Sequence, residues 1–278
     1  MAITWRKSGR RTRARGQASA LWGGVAALWL RQVLALRGGM AELLGTFALP
    51  VLWMVLFGVC MGQTVRDLNA AGGIGYIAFI TPGVMLLAGL TCAATGGSAL
   101  LLDRLNGSLK WFLVAPVPRL AVLLGLLAGS VTKALAQAAV VLALGVLLGA
   151  RLQVGLPGLL LAAALVVAYV VGFAGLAAAF AGRSRGMEGY HGLVMLLNLP
   201  VLFVSNALYP LDRVPDVIRA LALFNPTTYA VDALRALLFG APSELGLLTG
   251  GAVLFVFFGL GLVLGRWGLT RSARALAG

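Results

Sequence analysis

Six long apolar runs, separated by short polar or proline-rich breaks, constrain this chain more than any other feature. They lie near Leu44–Gly62, Ile77–Leu100, Leu120–Ala150, Leu156–Ala181, Gly192–Leu208 and Leu247–Trp267. A helix crossing a bilayer needs about 20 mostly apolar residues, because lipid offers no partner to an open backbone. The runs therefore predict an all-α membrane protein with six transmembrane helices. The third run exceeds the required length, which implies tilt or extension past the bilayer, and the fifth is short and holds Pro200. Glycines four apart (Gly58 and Gly62, Gly125 and Gly129, Gly261 and Gly265) would let helices approach closely, although 38 glycines make that spacing frequent by chance.

Composition excludes the obvious soluble reading. Only 11% of residues are charged and 60% are hydrophobic, where a soluble domain carries about a quarter charged residues. A net charge of +14 would suit nucleic acid, but the cations form no stripe on a folded domain. Arg6, Lys7, Arg10, Arg11, Arg13 and Arg15 crowd the first fifteen residues, and most others flank apolar runs. That is the charge pattern of a membrane surface, and no nucleic-acid partner is expected.

The same cations orient the bundle. The N-terminal segment, the loops around Arg104–Arg119 and Arg183–Arg185, and the C-terminal end together carry sixteen of the 22 Lys and Arg residues. The opposite side carries Arg66, Arg151, Arg213, Arg219 and Arg235, and Lys133 falls inside the third run. Both termini are therefore expected in the cytoplasm, in a multi-pass protein of a bacterial inner membrane. Residues 1–20 read as a basic cytoplasmic tail and 21–278 as a single transmembrane domain. Leu21, Trp22, Val25, Leu28, Trp29, Val33 and Leu36 share one helical face, predicting an interfacial amphipathic helix. Arg31 and Arg37 interrupt that stretch, which speaks against a secretory signal.

Chemistry is scarce. Lys7, Lys110 and Lys133 have no glycine-rich lead-in, so the chain has no phosphate cradle of the P-loop type. One histidine, His191, and two cysteines in apolar runs, Cys60 and Cys92, build no metal site. Asp212 and Asp216 sit in an expected external loop, where solvated side chains explain them. No catalytic residue and no bound cofactor are expected.

Two segments carry more information. After the second run, Leu102, Leu105, Leu109, Phe112 and Leu113 recur at helical spacing with Asp103, Arg104 and Lys110 on the remaining surface; Pro116 and Pro118 then stop the helix. Such a helix is either an interfacial turn or an element that presses into a groove on a soluble partner. Before the last run, Val214, Val217, Ile218, Leu221 and Phe224 recur helically. Asn225-Pro226 breaks the chain, and a second helix carries Tyr229, Asp232 and Arg235. The segment reads as two short helices dipping into the outer leaflet and leaving again, a backbone tolerated only against protein or a water-filled cavity.

These segments resemble the ABC-2 type permeases, the membrane subunits of bacterial ATP-binding-cassette exporters. The first resemblance is Asp103-Arg104, Gly107-Ser108-Leu109 and Ala115-Pro116-Val117. The second, more specific, is Tyr209-Pro210-Leu211, Leu223-Phe224-Asn225-Pro226 and Tyr229-Ala230-Val231-Asp232-Ala233-Leu234-Arg235. Size and lack of large insertions are similar to the daunorubicin-resistance and nodulation-factor branch. The resemblance implies a dimer with a second copy of the chain, each copy docking one ATP-binding subunit (two in all) that holds ATP and Mg. It implies that Leu102, Asp103, Arg104, Leu105, Gly107, Ser108, Leu109, Lys110 and Phe112 form a coupling helix seated in the ATPase. Arg183, Arg185 and Glu188 would make a second inner contact. Tyr209, Pro210, Phe224, Asn225, Pro226, Tyr229, Asp232 and Arg235 would form an external re-entrant gate. The first stretch reads Asp103-Arg104-Leu105-Asn106 where relatives often carry a further acid, so ionic contact with the ATPase would be weaker or differently placed.

Phe79, Lys133 and Phe203 are the candidates for the path of a hydrophobic or amphiphilic cargo, the two aromatics being read either as path lining or as interface anchors and helix packing. Lys133 is read either as a cargo or lipid-phosphate contact or as a snorkelling side chain. Asp232 and Arg235, three apart, are read either as gate residues or as an ion pair within one helix. Drug-like or lipid-linked molecules are the expected cargo. The rivals are a polysaccharide or glycolipid exporter of the same fold, a non-transporting subunit that anchors an ATPase, and an ion-coupled carrier. The last is disfavoured by the few ionisable residues in the membrane interior.

Overall fold

The computed structural model describes residues 21–34, 40–57, 75–108, 118–211 and 214–274. Nine helices occur among them: α1 over 21–34, then α2 Met40–Val55, α3 Tyr76–Leu105, α4 Arg119–Leu147 and α5 Leu156–Arg183. These are followed by α6 Met187–Phe203, α7 Asp216–Leu223, α8 Pro226–Phe239 and α9 Leu247–Arg274. No strand is present among the described residues.

Four helices, α3, α4, α5 and α9, have the length and composition to cross a membrane. The two other expected crossings look different. Helix α2 is 16 residues with Pro50 inside it, and Gly58–Gly62 lie outside the described residues. Helix α6 is 17 residues and stops at Phe203. The expected fifth span ran to Leu208, but the chain turns at Ser205, whose hydroxyl donates to the Leu202 carbonyl (2.7 Å) and accepts from the Ala207 amide (3.3 Å).

The core is built around α3, which is apolar on nearly every side and correspondingly enclosed. Helices α4 and α5 flank it, and α9 lies on the far side of α5. The α5–α9 seam is backbone against backbone. A Cβ on Gly175 would stand 1.8 Å from the Gly261 carbonyl oxygen, one on Gly261 would stand 2.5 Å from the Gly172 Cα, and one on Gly182 would stand 2.6 Å from the Gly268 carbonyl oxygen. The Gly261 spacing, common by chance, is therefore a working contact. Lipid tails are as apolar as the helices, so close dispersion contact replaces the hydrophobic effect in holding such a seam. The opposite side of α9 is open, with Phe255, Val256 and Val263 exposed.

Helix α1 packs on the bundle through Leu21, Val25, Leu28, Trp29 and Val33, as its periodicity predicts. Trp22, expected on that face, points away and is exposed; Leu36 lies outside the described residues. Leu28 rests on Gly125 and Gln32 on Gly129, the Trp29 indole donates to Thr132 (2.9 Å), and Arg31 pairs with Asp103 (2.6 Å). The Gly125/Gly129 spacing thus receives α1. Between α4 and α5 lies an apolar cleft of about 640 Å³, lined by Leu142, Ala143, Leu159, Ala162 and Val166.

Candidate functional site

The chemistry of this chain gathers at the two ends of α3. At its expected outer end, three segments meet. Asn225 caps α8: its amide oxygen accepts from the Thr227 N–H (3.0 Å), and Pro226 follows at the first helical position, where its missing N–H is harmless. The Asn225 amide nitrogen reaches back to the carbonyls of Val201 (2.7 Å) and Val204 (2.6 Å), closing the end of α6. Thr228 donates to the Ala222 carbonyl (2.7 Å) and Tyr229 to that of Leu223 (2.9 Å). The Tyr209 hydroxyl donates to the Phe203 carbonyl, and partial burial raises its phenol above the usual value, keeping it a neutral donor. The Asn-Pro-Thr-Thr-Tyr motif is therefore the fastening of the α7–α8 hairpin.

Asp232 and Arg235 do not pair within α8, correcting the ion-pair alternative. The buried Asp232 carboxylate accepts from the Ser243 hydroxyl (2.5 Å) and the amides of Glu244 (3.1 Å) and Leu245 (3.2 Å), so it organises the approach to α9. The Arg235 guanidinium points the other way. Its Nε and Nη2 donate to the Phe79 carbonyl (3.3 and 3.1 Å), Nη2 donates also to the Asn206 carbonyl (2.9 Å), and its Cζ lies 3.7 Å from the Phe79 ring centroid. Pro82 interrupts the α3 hydrogen-bond ladder within a turn of that carbonyl. Close by, Gly83 leaves room for Ala207, whose carbonyl oxygen would stand 2.7 Å from an added Cβ.

One expectation at this end fails on burial. Phe79, a candidate for the cargo path, is 4% exposed beneath Arg235 and lines nothing open. On α7, Val217 and Leu221 are exposed, as is the following Phe224, while Ala222 is buried. Phe203 is exposed and Pro210 half-buried.

At the expected inner end, Leu102, Asp103, Arg104 and Leu105 form the last turn of α3 rather than the start of a separate helix. Asn106 and Gly107 turn the chain, Gly107 with φ +75°, and Ser108 is helical again. Leu109, Lys110 and Phe112 lie outside the described residues. Arg104, expected on the free surface, is buried, and its guanidinium donates to the carbonyls of Gly182 (3.3 Å) and Ser184 at the end of α5. Leu102 and Leu105 are exposed. Arg183, Arg185 and Glu188 are exposed around the short α5–α6 loop. No bond joins Glu188 to His191 among the described residues; His191 stacks edge-on against Tyr190 instead.

Between the ends, Lys133 is half-buried on α4, one turn before Gln137, which accepts from the Cys92 thiol (3.2 Å). Sequence reasoning missed a stripe on α3. Thr91, Thr95 and Ser98, followed by Leu102 and Leu105, share the only open face of this helix. Their hydroxyls donate to carbonyls of their own helix, Leu87 (3.0 Å), Cys92 (2.9 Å) and Thr95 (2.8 Å). The spacing was visible in the sequence, but nothing there says which face is open.

The profile of the ABC-2 type transporter family matches residues 24–239, from within α1 to the last residue of α8. The chain belongs to the ABC-2 type transporter family. Among its relatives, nodulation protein J of Rhizobium leguminosarum bv. trifolii is 26% identical over 219 residues, 78% of this chain and 81% of that protein. The daunorubicin resistance ABC transporter permease protein DrrB1 of Streptomyces coeruleorubidus is 27% identical over 244 residues, covering 88% and 83% of the two chains. The ycf38 transport permease of Pyropia yezoensis is 27% identical over 214 residues, covering 77% and 73%. The family match spans both ends of α3 and the Asn225–Arg235 motif, so the hairpin fastening and the Gly107 turn lie within the matched residues.

Proposed function

We propose that the chain is the permease subunit of an ATP-driven exporter for amphiphilic drug-like or lipid-linked cargo. It works as a dimer, each copy docked to a separate ATP-binding subunit that holds ATP and Mg. The observation that carries this reading is the open face of α3. Each hydroxyl bonds a carbonyl of its own helix, and small hydroxyl-bearing residues are enriched where membrane helices meet, so we read the stripe as turned toward a second copy and the path between them. Helix α6, exposed at Leu193, Leu196, Leu199 and Phe203, supplies the neighbouring apolar wall. Two copies meeting on these faces would enclose a path apolar on one side and hydroxylated on the other, suited to an amphiphile.

The finer layout follows. Helices α2 and α6 complete six crossings, both termini lie in the cytoplasm of a bacterial inner membrane, and residues 21–278 form one domain behind a basic tail of 1–20. The segment from Leu102 to Phe112 docks in the ATPase, Arg183, Arg185 and Glu188 touch it a second time, and the α7–α8 hairpin closes the outer mouth. ATP binding and hydrolysis shift the dimer between inward-open and outward-open states. Thr91, Thr95 and Ser98 replace Phe79 in the path.

The test is reconstitution with the ATP-binding subunit in liposomes, following hydrolysis and movement of an NBD-labelled phospholipid. Gly107→Pro places a residue confined to φ near −65° at φ +75°, and it is expected to abolish permease-dependent hydrolysis. Thr95→Trp is expected to block export, while Val256→Trp on the open face of α9 leaves it intact. Hydrolysis that responds to the permease without any export would favour the anchoring subunit. An ATPase that never associates would sink the exporter reading.

A further inference from the structure

The short loop joining α5 to α6 is held to α3 on both sides. Before it, the buried Arg104 guanidinium donates to the Gly182 and Ser184 carbonyls. Gly182 is in the last turn of α5 and Ser184 is its C-cap, so both carbonyls stand at the negative end of the helix dipole, where the helix offers no amide partner. After it, Tyr190 is 1% exposed and donates to the Ala94 carbonyl of α3 (2.6 Å). Its ring reaches that carbonyl because position 97 is glycine: a Cβ there would stand 2.3 Å from the Tyr190 hydroxyl. Gly182 in turn lies against the backbone of α9 at Gly268, so the end of α5 cannot swing alone.

We infer that Arg104 and Tyr190 are positioning residues that join the α5–α6 loop and the inner end of α3 into one rigid coupling unit. A push on the segment after Gly107 then moves residues 184–189, with Arg185 and Glu188, in the same stroke. This rests on the reading of the chain as a permease driven by a separate ATPase. Neither residue touches cargo or nucleotide. Their role is to make the two inner loops respond as one body to a single ATPase.

Arg104→Gln removes the charge-assisted bonds, Arg104→Lys keeps a point charge without the fork, and Tyr190→Phe removes one hydroxyl while keeping the ring over Gly97. Two readouts apply. The first, on the full chain in liposomes without any ATPase, is amide hydrogen exchange of residues 184–189, expected to rise about tenfold in Arg104→Gln and Tyr190→Phe. The second, with the ATP-binding subunit, is NBD-phospholipid exported per ATP hydrolysed. That ratio is expected to fall at least about fivefold in Arg104→Gln while subunit binding and hydrolysis persist, with partial recovery in Arg104→Lys. Unchanged exchange in both variants overturns the joint. Faster exchange with an unchanged export ratio overturns the positioning role and leaves a purely structural contact. A native chain that neither recruits the ATPase nor exports the probe overturns the permease reading and the positioning role with it.

Discussion

The α5–α9 seam makes a sharp prediction because it has its own control. Gly175→Ala adds one methyl group where the Gly261 carbonyl oxygen stands 1.8 Å from the new Cβ, whereas real Cβ contacts essentially never fall below 3.0 Å. The helices must part by about 1.2 Å, and a radial gap of 0.5–1 Å already forfeits roughly a quarter to a half of the dispersion well. Because Gly261 and Gly268 also sit backbone to backbone on α5, the loss extends along the seam. Overpacking of this kind costs about 1–3 kcal/mol. Gly259→Ala, on the same α9 helix with nothing within 4 Å of the added Cβ, gains roughly 0.5–1 kcal/mol of helix propensity and loses no contact. The propensity gain is common to both helical positions and cancels, so reversible unfolding in bicelles, followed by far-UV circular dichroism, should separate the two variants by about 1–3 kcal/mol, with Gly175→Ala the less stable. Equal midpoints for Gly175→Ala and Gly259→Ala would refute the backbone-on-backbone seam.

Two further substitutions test the outer end. Arg235→Met removes the bonds to the Phe79 and Asn206 carbonyls and strands the Asn206 carbonyl, at about 1–3 kcal/mol for a buried group left unpaired, so a lowered thermal midpoint in detergent is expected and an unchanged one counts against the assignment. Asn225→Ala removes the α8 cap and both donors to the end of α6. It is expected to cost about 2 kcal/mol or more and to make the α7–α8 hairpin sensitive to limited proteolysis from outside; a hairpin that stays resistant would mean the fastening lies elsewhere.

The inner and outer fastenings share a chemistry that suits a moving protein. Arg104 and Arg235 both donate to backbone carbonyls on other elements rather than to carboxylates. A carbonyl is neutral, so the arginine is held by geometry and sheds its partner without leaving a second buried charge behind. Helix α3, about 45 Å long at 1.5 Å per residue, carries the outer contact near its first turn and the inner one in its last. That places one continuous helix between the Gly107 turn and the α7–α8 hairpin.

Sequence alone determined the helices that are long and apolar all round. Ile77–Leu100, Leu120–Ala150, Leu156–Ala181 and Leu247–Trp267 match α3, α4, α5 and α9 closely, because hydropathy and length are local and a bilayer enforces both. It also marked the Asn225-Pro226 break and the helix that follows, since a cap and a first-turn proline act within three residues. It could not say which face of α7 is covered, that Phe79 is enclosed, or that Arg104 turns inward. Those outcomes depend on partners far along the chain: Arg104 meets carbonyls 78 and 80 residues away, and Arg235 meets one 156 residues away. The glycines show the division most plainly. Their spacing was legible but common by chance, and only the approach of α9 to α5 made Gly261 and Gly268 contacts, because in lipid the packing of two backbones is itself the attraction.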